Sequence, residues 1–174
     1  MSDNYRKNCY KKILDASSVY DIAIKSPMQF APKLSSKLKN KIYIKREDLQ
    51  PVFSFKLRGA YNKISKIKNP KHIVAASAGN HAQGVAMTCK KLKLPSSIVM
   101  PSTTPSIKVN AVKKYGSKVI LYGDTYDEAY QYAIKFSKKN NFNFVHPYDD
   151  IDVIAGQGTI GIEILEQLKE HPDY

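Results

Sequence analysis

Short apolar runs rich in β-branched residues alternate along this chain with longer segments of helical character. A parallel strand buried on both faces reads as a short continuous apolar run, whereas a helix needs a longer segment. Strands that alternate with helices pair in parallel through right-handed crossovers. The sequence therefore predicts an α/β fold, a three-layer αβα arrangement around a parallel sheet. The predicted strands cover residues 42–45, 72–76, 97–100, 118–122 and 142–146.

The segments between these strands are expected to be helical, over residues 56–66, 80–91, 106–115, 125–138 and 159–169. Ser106 and Thr125 are predicted N-caps, because their side-chain oxygens can accept hydrogen bonds from the first helical turn. Gly116 is placed to end the third of these helices in the left-handed conformation. A chain of 174 residues, 43% of them hydrophobic, is long enough for one packed domain.

One lysine has an unusual neighbourhood for a surface residue. Lys56 stands at the start of a predicted helix among Phe53, Phe55 and Leu57, and large apolar side chains are a poor choice for a solvated loop. A lysine amine can form a Schiff base when its surroundings keep part of it unprotonated. Lys56 is therefore the candidate nucleophile, and a solvated lysine at a helix start is the alternative.

A turn of small and polar residues follows the second predicted strand directly. In open α/β sheets ligands bind beyond the carboxyl ends of the strands. The N–H groups at the start of the next helix, together with the helix dipole, form a site for a phosphate or carboxylate. Paired with Lys56, this turn indicates pyridoxal phosphate chemistry, and an ordinary turn with Asn80 as N-cap is the alternative. The turn consists of Ser77, Ala78, Gly79, Asn80 and His81.

The formal charge of +13 raises the question of nucleic-acid binding. Of the 28 basic residues 25 are lysine, and they are spread in singles and pairs from Lys7 to Lys169. The sequence contains no RNP, helix-turn-helix or zinc-finger pattern. We therefore expect a solvated basic surface and no nucleic-acid partner.

Other kinds of site are not indicated. Cys9 and Cys89 lie 80 positions apart without a CxxC spacing, which favours neither a disulfide framework nor a zinc site and fits a reducing compartment. His81 and His146 have no ligand partners at metal spacing, so structural or hydrogen-bonding histidines are expected. No apolar run approaches the ~18 residues of a membrane span, and no signal peptide is recognisable. We expect a soluble, cytoplasmic protein.

Residues 156–161 spell the GxGxxG pattern of dinucleotide-binding proteins. No convincing strand leads into this stretch, and too few residues follow it for the acidic partner of the ribose. Dinucleotide binding is therefore not expected.

A set of segments in register covers nearly the whole chain, namely residues 34–38, 44–52, 54–61, 77–86, 98–101 and 153–159. Together these segments resemble the fold-type II pyridoxal phosphate enzymes, and among these the biosynthetic threonine dehydratase (threonine ammonia-lyase) family. Segment 45–52 favours the biosynthetic threonine enzymes over the catabolic threonine and serine dehydratases and serine racemase, which share the Ser-Phe-Lys and Gly-Asn-His elements but differ just upstream.

This resemblance implies a role for each site residue. Lys56 is expected to form the Schiff base with pyridoxal 5'-phosphate and later to move the substrate proton. Phe55 is expected to contact the cofactor and Asn80 to hydrogen-bond the phenolic oxygen of its ring. The implied reaction is β-elimination from L-threonine to 2-oxobutanoate and ammonia, the entry to isoleucine synthesis. The residues expected to hold the substrate carboxylate are Ser77, Ala78, Gly79, Asn80 and His81.

In terms of this family, residues 1–54 are the N-terminal segment of a large domain, 55–150 a small α/β domain, and 151–174 the start of the returning large-domain segment. The family has a glycine-rich phosphate loop shortly after the equivalent of Glu170 and a serine beside the pyridine nitrogen, and neither occurs in this sequence. We therefore expect a truncated enzyme, and the sequence leaves open whether the fragment is active by itself. For the full-length form we expect a homo-oligomer. The alternatives are an L-serine dehydratase or racemase, one half of a split enzyme, and a non-catalytic amino-acid-binding module.

Overall fold

The computed structural model describes residues 3–168 and 172–173. The main sheet consists of β3 (Ile73–Ala76), β4 (Ser96–Met100), β5 (Lys118–Leu121) and β6 (Asn143–Phe144). All of its pairings are parallel, and the strand order is β5-β4-β3-β6. The predicted α/β class with a parallel sheet is confirmed.

The helices of the described residues separate these strands and precede them. None of them is long and apolar enough to cross a lipid bilayer. Two short 3-10 helices cover Ser17–Asp21 and Glu47–Leu49. The α-helices are α1 (Asp3–Leu14), α2 (Pro32–Leu38), α3 (Lys56–Ile64), α4 (Asn80–Leu92), α5 (Ser106–Lys113), α6 (Tyr126–Asn140) and α7 (Ile151–Gln167).

The side chains of the central strands alternate between two helical layers, as the period of two in a strand requires. Ile73 and Ala75 belong to a core shared with α3, α4 and α5. Val74 and Ala76 belong to a second core with α6. All four side chains are fully buried. The sheet is therefore covered on both faces, which gives the predicted three-layer arrangement.

One predicted strand does not join the parallel sheet. The segment predicted as 42–45 forms β2 (Tyr43–Lys45), which pairs antiparallel with β1 (Met28–Phe30) in a separate two-stranded sheet. Tyr43 and Ile44 are each 45% exposed, so this run is not buried on both faces. The prediction was wrong because an apolar run this short does not specify its pairing partner.

Of the predicted helix caps, Thr125 is confirmed and the other two are wrong. Thr125 Oγ1 accepts a hydrogen bond from the Glu128 N–H at 3.3 Å, and Glu128 Oε2 accepts from the Thr125 N–H at 3.0 Å, which is a capping box. Ser106 is the first helical residue, and the preceding proline occupies the N-cap. Gly116 has a φ of 89° but does not cap α5, because the helix already ends at Lys113.

Helix α7 begins eight residues earlier than predicted. Its N-cap is Asp150, whose Oδ1 accepts hydrogen bonds from the N–H groups of Asp152 at 2.9 Å and Val153 at 3.2 Å. The GxGxxG stretch therefore lies inside the helix rather than in a turn that opens it. The prediction failed because glycine lowers helix propensity and its packing role is not visible locally. The predicted end at Lys169 lies outside the described residues.

Two glycines let α3 lie against the backbones of α4 and α7. A Cβ on Gly156 of α7 would lie 2.5 Å from the Arg58 carbonyl oxygen, and a Cβ on Gly84 of α4 would lie 3.1 Å from the Lys56 carbonyl oxygen. The contact at Gly156 leaves no room for a side chain, and a side chain at Gly84 would fit only if its neighbour moved by a few tenths of an ångström. The first turn of α3 is therefore held between its two neighbours, and Lys56 is fixed with it.

Candidate functional site

Lys56 is the first residue of α3, and its side chain is half-buried. Its Nζ donates a hydrogen bond to the Pro147 carbonyl oxygen at 2.8 Å. Burial lowers the pKa of the Lys56 amine below its ordinary value, and no neighbouring carboxylate among the described residues opposes this. The fraction of neutral, nucleophilic amine is consequently larger than for a surface lysine.

The phenylalanines around Lys56 contribute less to its burial than expected. Phe53 is 72% exposed, and only Phe55 lies beside the amine, with its ring centroid 5.4 Å from Lys56 Nζ. Leu57 is fully buried but points into a different core cluster. The amine of Lys56 instead contacts the carbonyl oxygen of Pro147, and the backbone of Lys56 lies against Gly84 of α4.

The turn between β3 and α4 has the open geometry that an anionic ligand requires. Gly79 is the N-cap of α4, and its N–H donates to Ser77 Oγ at 3.2 Å. Asn80, the first helical residue, is exposed and does not cap the helix, so the alternative of Asn80 as N-cap is wrong. Among the residues that the structure describes, no side chain caps this helix start, and apart from the adjoining residues no atom lies within 4 Å of a Cβ position on Gly79. A ligand can therefore approach these donors.

The fold brings Lys56 and Asn80 to the same side of α4. Gly84 lies four residues after Asn80, and residues at this spacing share one face of a helix. The backbone of Lys56 lies against Gly84, because a Cβ added to this glycine would lie 3.1 Å from the Lys56 carbonyl oxygen. Asn80 thus lies one helical turn from the point where α3 begins.

His81 lies inside α4 and is only 3% exposed. Its Nε2 is 3.2 Å from the Val145 carbonyl oxygen, so this nitrogen carries the proton and donates it. Burial lowers the pKa of His81 to about 4, an effect that the Val145 carbonyl partly opposes and the charge of Lys56 reinforces. The imidazole is therefore neutral near pH 7, and its part in holding a substrate carboxylate remains a prediction.

Sequence reasoning did not identify Pro147 as a partner of Lys56. The proline follows β6, and its carbonyl is what Lys56 binds. The available signal was its place just beyond the carboxyl end of a strand, where open α/β sheets bind ligands. The preceding His146 was expected to be a hydrogen-bonding histidine, and its Nδ1 does accept hydrogen bonds from backbone N–H groups.

These residues fit pyridoxal phosphate. The amine of Lys56, which forms no ion pair with the part of the chain that the structure describes, would attach the cofactor aldehyde. The start of α4, with its open glycine turn, would receive an anionic group. No group of three or more His, Cys, Asp or Glu within the described ranges is placed to hold a metal ion. A groove of about 590 Å³ lies elsewhere, between α1 and α7, and contains none of the predicted site residues.

Comparison with known proteins agrees with this assignment. The sequence model of a family described as pyridoxal-phosphate dependent enzyme matches residues 19–174. A threonine dehydratase of Nicotiana attenuata is 56% identical over 158 residues, which are 89% of this chain and 26% of that protein. The structure of processed threonine deaminase isoform 2 from Solanum lycopersicum has a TM-score of 0.89 and 50% identity, over 94% of this chain and 46% of that one.

A related enzyme that is named for a different reaction has nearly the same fold. Maize serine racemase gives a TM-score of 0.87 at 29% identity, over 92% of this chain and 50% of that one. This chain thus spans about a quarter of the length of the curated dehydratase and about half of the solved chains.

Proposed function

Because this chain belongs to the pyridoxal-phosphate dependent enzyme family, we propose that it contributes the cofactor-binding lysine, Lys56, to the catalytic site of an L-threonine ammonia-lyase. The observation that carries the proposal is the half-buried amine of Lys56, which has no ion-pair partner within residues 3–168 and 172–173. The backbone of this lysine lies against Gly84, one helical turn from the start of α4. Identities of 50% and more to threonine dehydratase and deaminase support the choice of substrate. The activity proposed is that of the whole enzyme, of which this chain spans a part.

Each site residue has a distinct task in this proposal. Lys56 holds the cofactor and, once released and neutral, accepts the proton from the substrate Cα, for which its lowered pKa is suited. When bound, pyridoxal phosphate supplies the electron sink for the electron pair that remains on Cα after this proton is removed. Phe55 lies against the cofactor, and the Asn80 amide donates to the phenolic oxygen of its ring.

The substrate is held at the other end of the site. Its carboxylate accepts hydrogen bonds from Ser77 and from the backbone at the start of α4, where the positive end of the helix dipole stabilises negative charge. The β-hydroxyl then leaves as water, and the enamine that is released hydrolyses to 2-oxobutanoate and ammonia, the entry to isoleucine synthesis. The residues of this carboxylate site are Ser77, Ala78, Gly79, Asn80 and His81.

We further propose the division into residues 1–54, 55–150 and 151–174 as parts of a large, a small and again a large domain. Cytoplasmic location and a homo-oligomeric whole enzyme belong to the same proposal. L-Serine is the second candidate substrate, because maize serine racemase has nearly the same fold over this region.

Titration of the chain with pyridoxal phosphate tests the proposed role of Lys56. We expect a visible absorption band that is absent in Lys56→Ala and unchanged in Lys91→Ala, which removes an exposed lysine on α4. Borohydride reduction followed by peptide mapping should place the cofactor on Lys56. A band of equal intensity in Lys56→Ala would refute the proposed attachment.

Addition of substrate distinguishes the two candidate reactions. L-Threonine is expected to shift the band and to yield 2-oxobutanoate when the rest of the enzyme is supplied, whereas preference for L-serine with pyruvate as product would favour the serine enzyme. The outcome of this second step does not affect the result of the first.

A further inference from the structure

We propose that His146 is a positioning residue for Lys56, acting through the backbone turn that it holds around Pro147. The inference deepens the proposed function and rests on it, because it concerns the amine that the function requires. None of the roles assigned above includes the His146 side chain.

The His146 ring closes a turn at the carboxyl end of β6. Its Nδ1 accepts a hydrogen bond from the Asp149 N–H at 2.7 Å and a longer one from the Tyr148 N–H at 3.3 Å. A ring nitrogen that accepts hydrogen bonds carries no proton, so the proton of the neutral ring is on Nε2. The side chain thereby ties the backbone on the far side of Pro147 to the strand in front of it.

The turn directs one carbonyl group at the amine. Proline has no N–H and a fixed φ, so its carbonyl is its only backbone hydrogen-bonding group. The Pro147 carbonyl accepts from Lys56 Nζ at 2.8 Å, and Pro147 itself is buried. This is the hydrogen bond that the structure gives the Lys56 amine, so the direction of the amine depends on where the turn places Pro147.

Aromatic contacts hold the His146 ring in the orientation that the turn needs. The ring is nearly perpendicular to Tyr148, Tyr130 and Phe144, with centroid separations of 4.7, 5.8 and 6.3 Å. Edge-to-face pairs of this kind are favourable and restrict rotation of the ring. Nδ1 is therefore preorganised as an acceptor rather than free to turn to solvent.

The backbone segment 145–147 also forms a hydrogen bond with a second site residue. The Val145 carbonyl accepts from His81 Nε2, and the Pro147 carbonyl accepts from Lys56, so alternate carbonyls of residues 145–147 contact both. His146 lies between Val145 and Pro147 and determines the course of the segment. If the turn is loosened, the hydrogen bond of Lys56 to Pro147 should therefore be lost first, because His81 is bonded to Val145, which directly follows β6.

Two polar substitutions separate this role from a general effect on stability. In His146→Asn the Oδ1 atom stands where Nδ1 stood and can accept the same two N–H groups, whereas His146→Gln carries its oxygen one bond too far. His72→Gln is the matched control, since His72 lies at the start of β3 and contacts Ser97 Oγ at 2.9 Å instead.

The readouts are backbone amide exchange at Tyr148 and Asp149 and competitive acetylation of Lys56 relative to the exposed lysines across a range of pH. In His146→Gln we expect faster exchange at both amides and a plateau reactivity of Lys56 increased about fivefold, as for the loss of one hydrogen bond. His146→Asn and His72→Gln should match the unmodified chain in both readouts.

Equal Lys56 profiles in the Asn and Gln variants would overturn the proposal, as would faster amide exchange without any change at Lys56. Acetylation needs no cofactor. If pyridoxal phosphate failed to attach to Lys56, the proposed function would fall, while the acetylation result would still decide whether His146 positions the amine.

Discussion

The guanidinium of Arg58 and the carboxylate of Glu163 form a fully buried ion pair, with Nη1 and Oε1 2.5 Å apart. Arg58 also pairs with Glu47 at 2.8 Å, and Glu163 also pairs with Lys45 at 2.6 Å. Two basic and two acidic side chains thus meet in the interior, which satisfies the requirement that buried charges be paired. The network joins β2, the second 3-10 helix, α3 and α7, two residues from Lys56.

Glu163→Gln should strongly destabilise the chain, because it leaves the buried charge of Arg58 without one of its two carboxylates. Removal of one partner from a buried pair costs about 3–5 kcal/mol in free energy of unfolding. Glu166→Gln is the control, since Glu166 pairs with Lys25 on the surface, where such pairs contribute at most about 1 kcal/mol. Urea unfolding of both variants measures the difference, and equal midpoints would contradict the prediction.

Gly156→Ala should destabilise the contact between α3 and α7. The new Cβ would lie 2.5 Å from the Arg58 carbonyl oxygen, and overpacking of this kind costs roughly 1–3 kcal/mol. Gly161→Ala, in the same helix, meets no atom of another described segment within 4 Å and should stabilise the chain by up to about 1 kcal/mol through helix propensity. Thermal unfolding should move in opposite directions for the two variants. A shift of the same sign in both would disprove the packing argument.

Thr125→Ala should remove the capping box of α6 and lower the free energy of unfolding by about 1 kcal/mol. Ser106→Ala should have little effect, because Ser106 makes no side-chain cap at the start of α5. Ser106 and Thr125 were both predicted as N-caps from the sequence. Comparison of the two variants therefore isolates the contribution of the capping hydrogen bond. Denaturant titration decides the matter, and a loss at Ser106 as large as that at Thr125 would contradict it.

Lys56 should react with amine reagents at lower pH than the exposed lysines. Burial lowers the pKa of its amine, so its neutral form is populated earlier as pH rises. Mass-spectrometric mapping of acetylation against pH gives a midpoint for each lysine in one experiment. The exposed lysines of α4, Lys90 and Lys91, serve as internal controls. A Lys56 midpoint at or above theirs would contradict the lowered pKa.

His81 should make the stability of the chain depend on pH in mildly acidic solution. Its pKa falls from 6.5 to about 4 on folding, mainly through burial, so the unfolded chain binds the proton first. The contribution of neutral His81 to the free energy of unfolding is complete above pH 6.5. It is lost as pH falls towards 4, by about 3 kcal/mol in all. Urea unfolding across this range should show a shallower pH dependence in His81→Gln. Parallel curves for the two proteins would rule this out.

The sequence allowed the parallel sheet and the place of Lys56 to be predicted, because both follow from local patterns. Buried strands are recognisable as short apolar runs and helices as longer segments between them. The lysine among apolar residues is recognisable without knowledge of the fold. The start of α7 was missed because its glycines reduce helix propensity, although one of them, Gly156, allows the close contact with α3. The pairing of β2 was missed because three residues do not identify a partner.

The contacts of the site could not be predicted for a different reason. The Pro147 carbonyl that binds Lys56 is a backbone group 91 positions away, and every residue has a carbonyl. The Lys45–Glu163 pair spans 118 positions, and periodicity carries no information at such separations. Sequence patterns describe which residues are buried, whereas the geometry of the site depends on which segments meet.

The buried ion pair also constrains the order of events during synthesis. Arg58 leaves the ribosome 105 residues ahead of Glu163, and until then Glu47 is the one carboxylate of its two buried ion pairs that has been made. Burial of a charge without a full set of partners is costly, so the first turn of α3 does not reach its final packing while the nascent chain is short. The helix that presents Lys56 is translated early but is completed late, when α7 arrives.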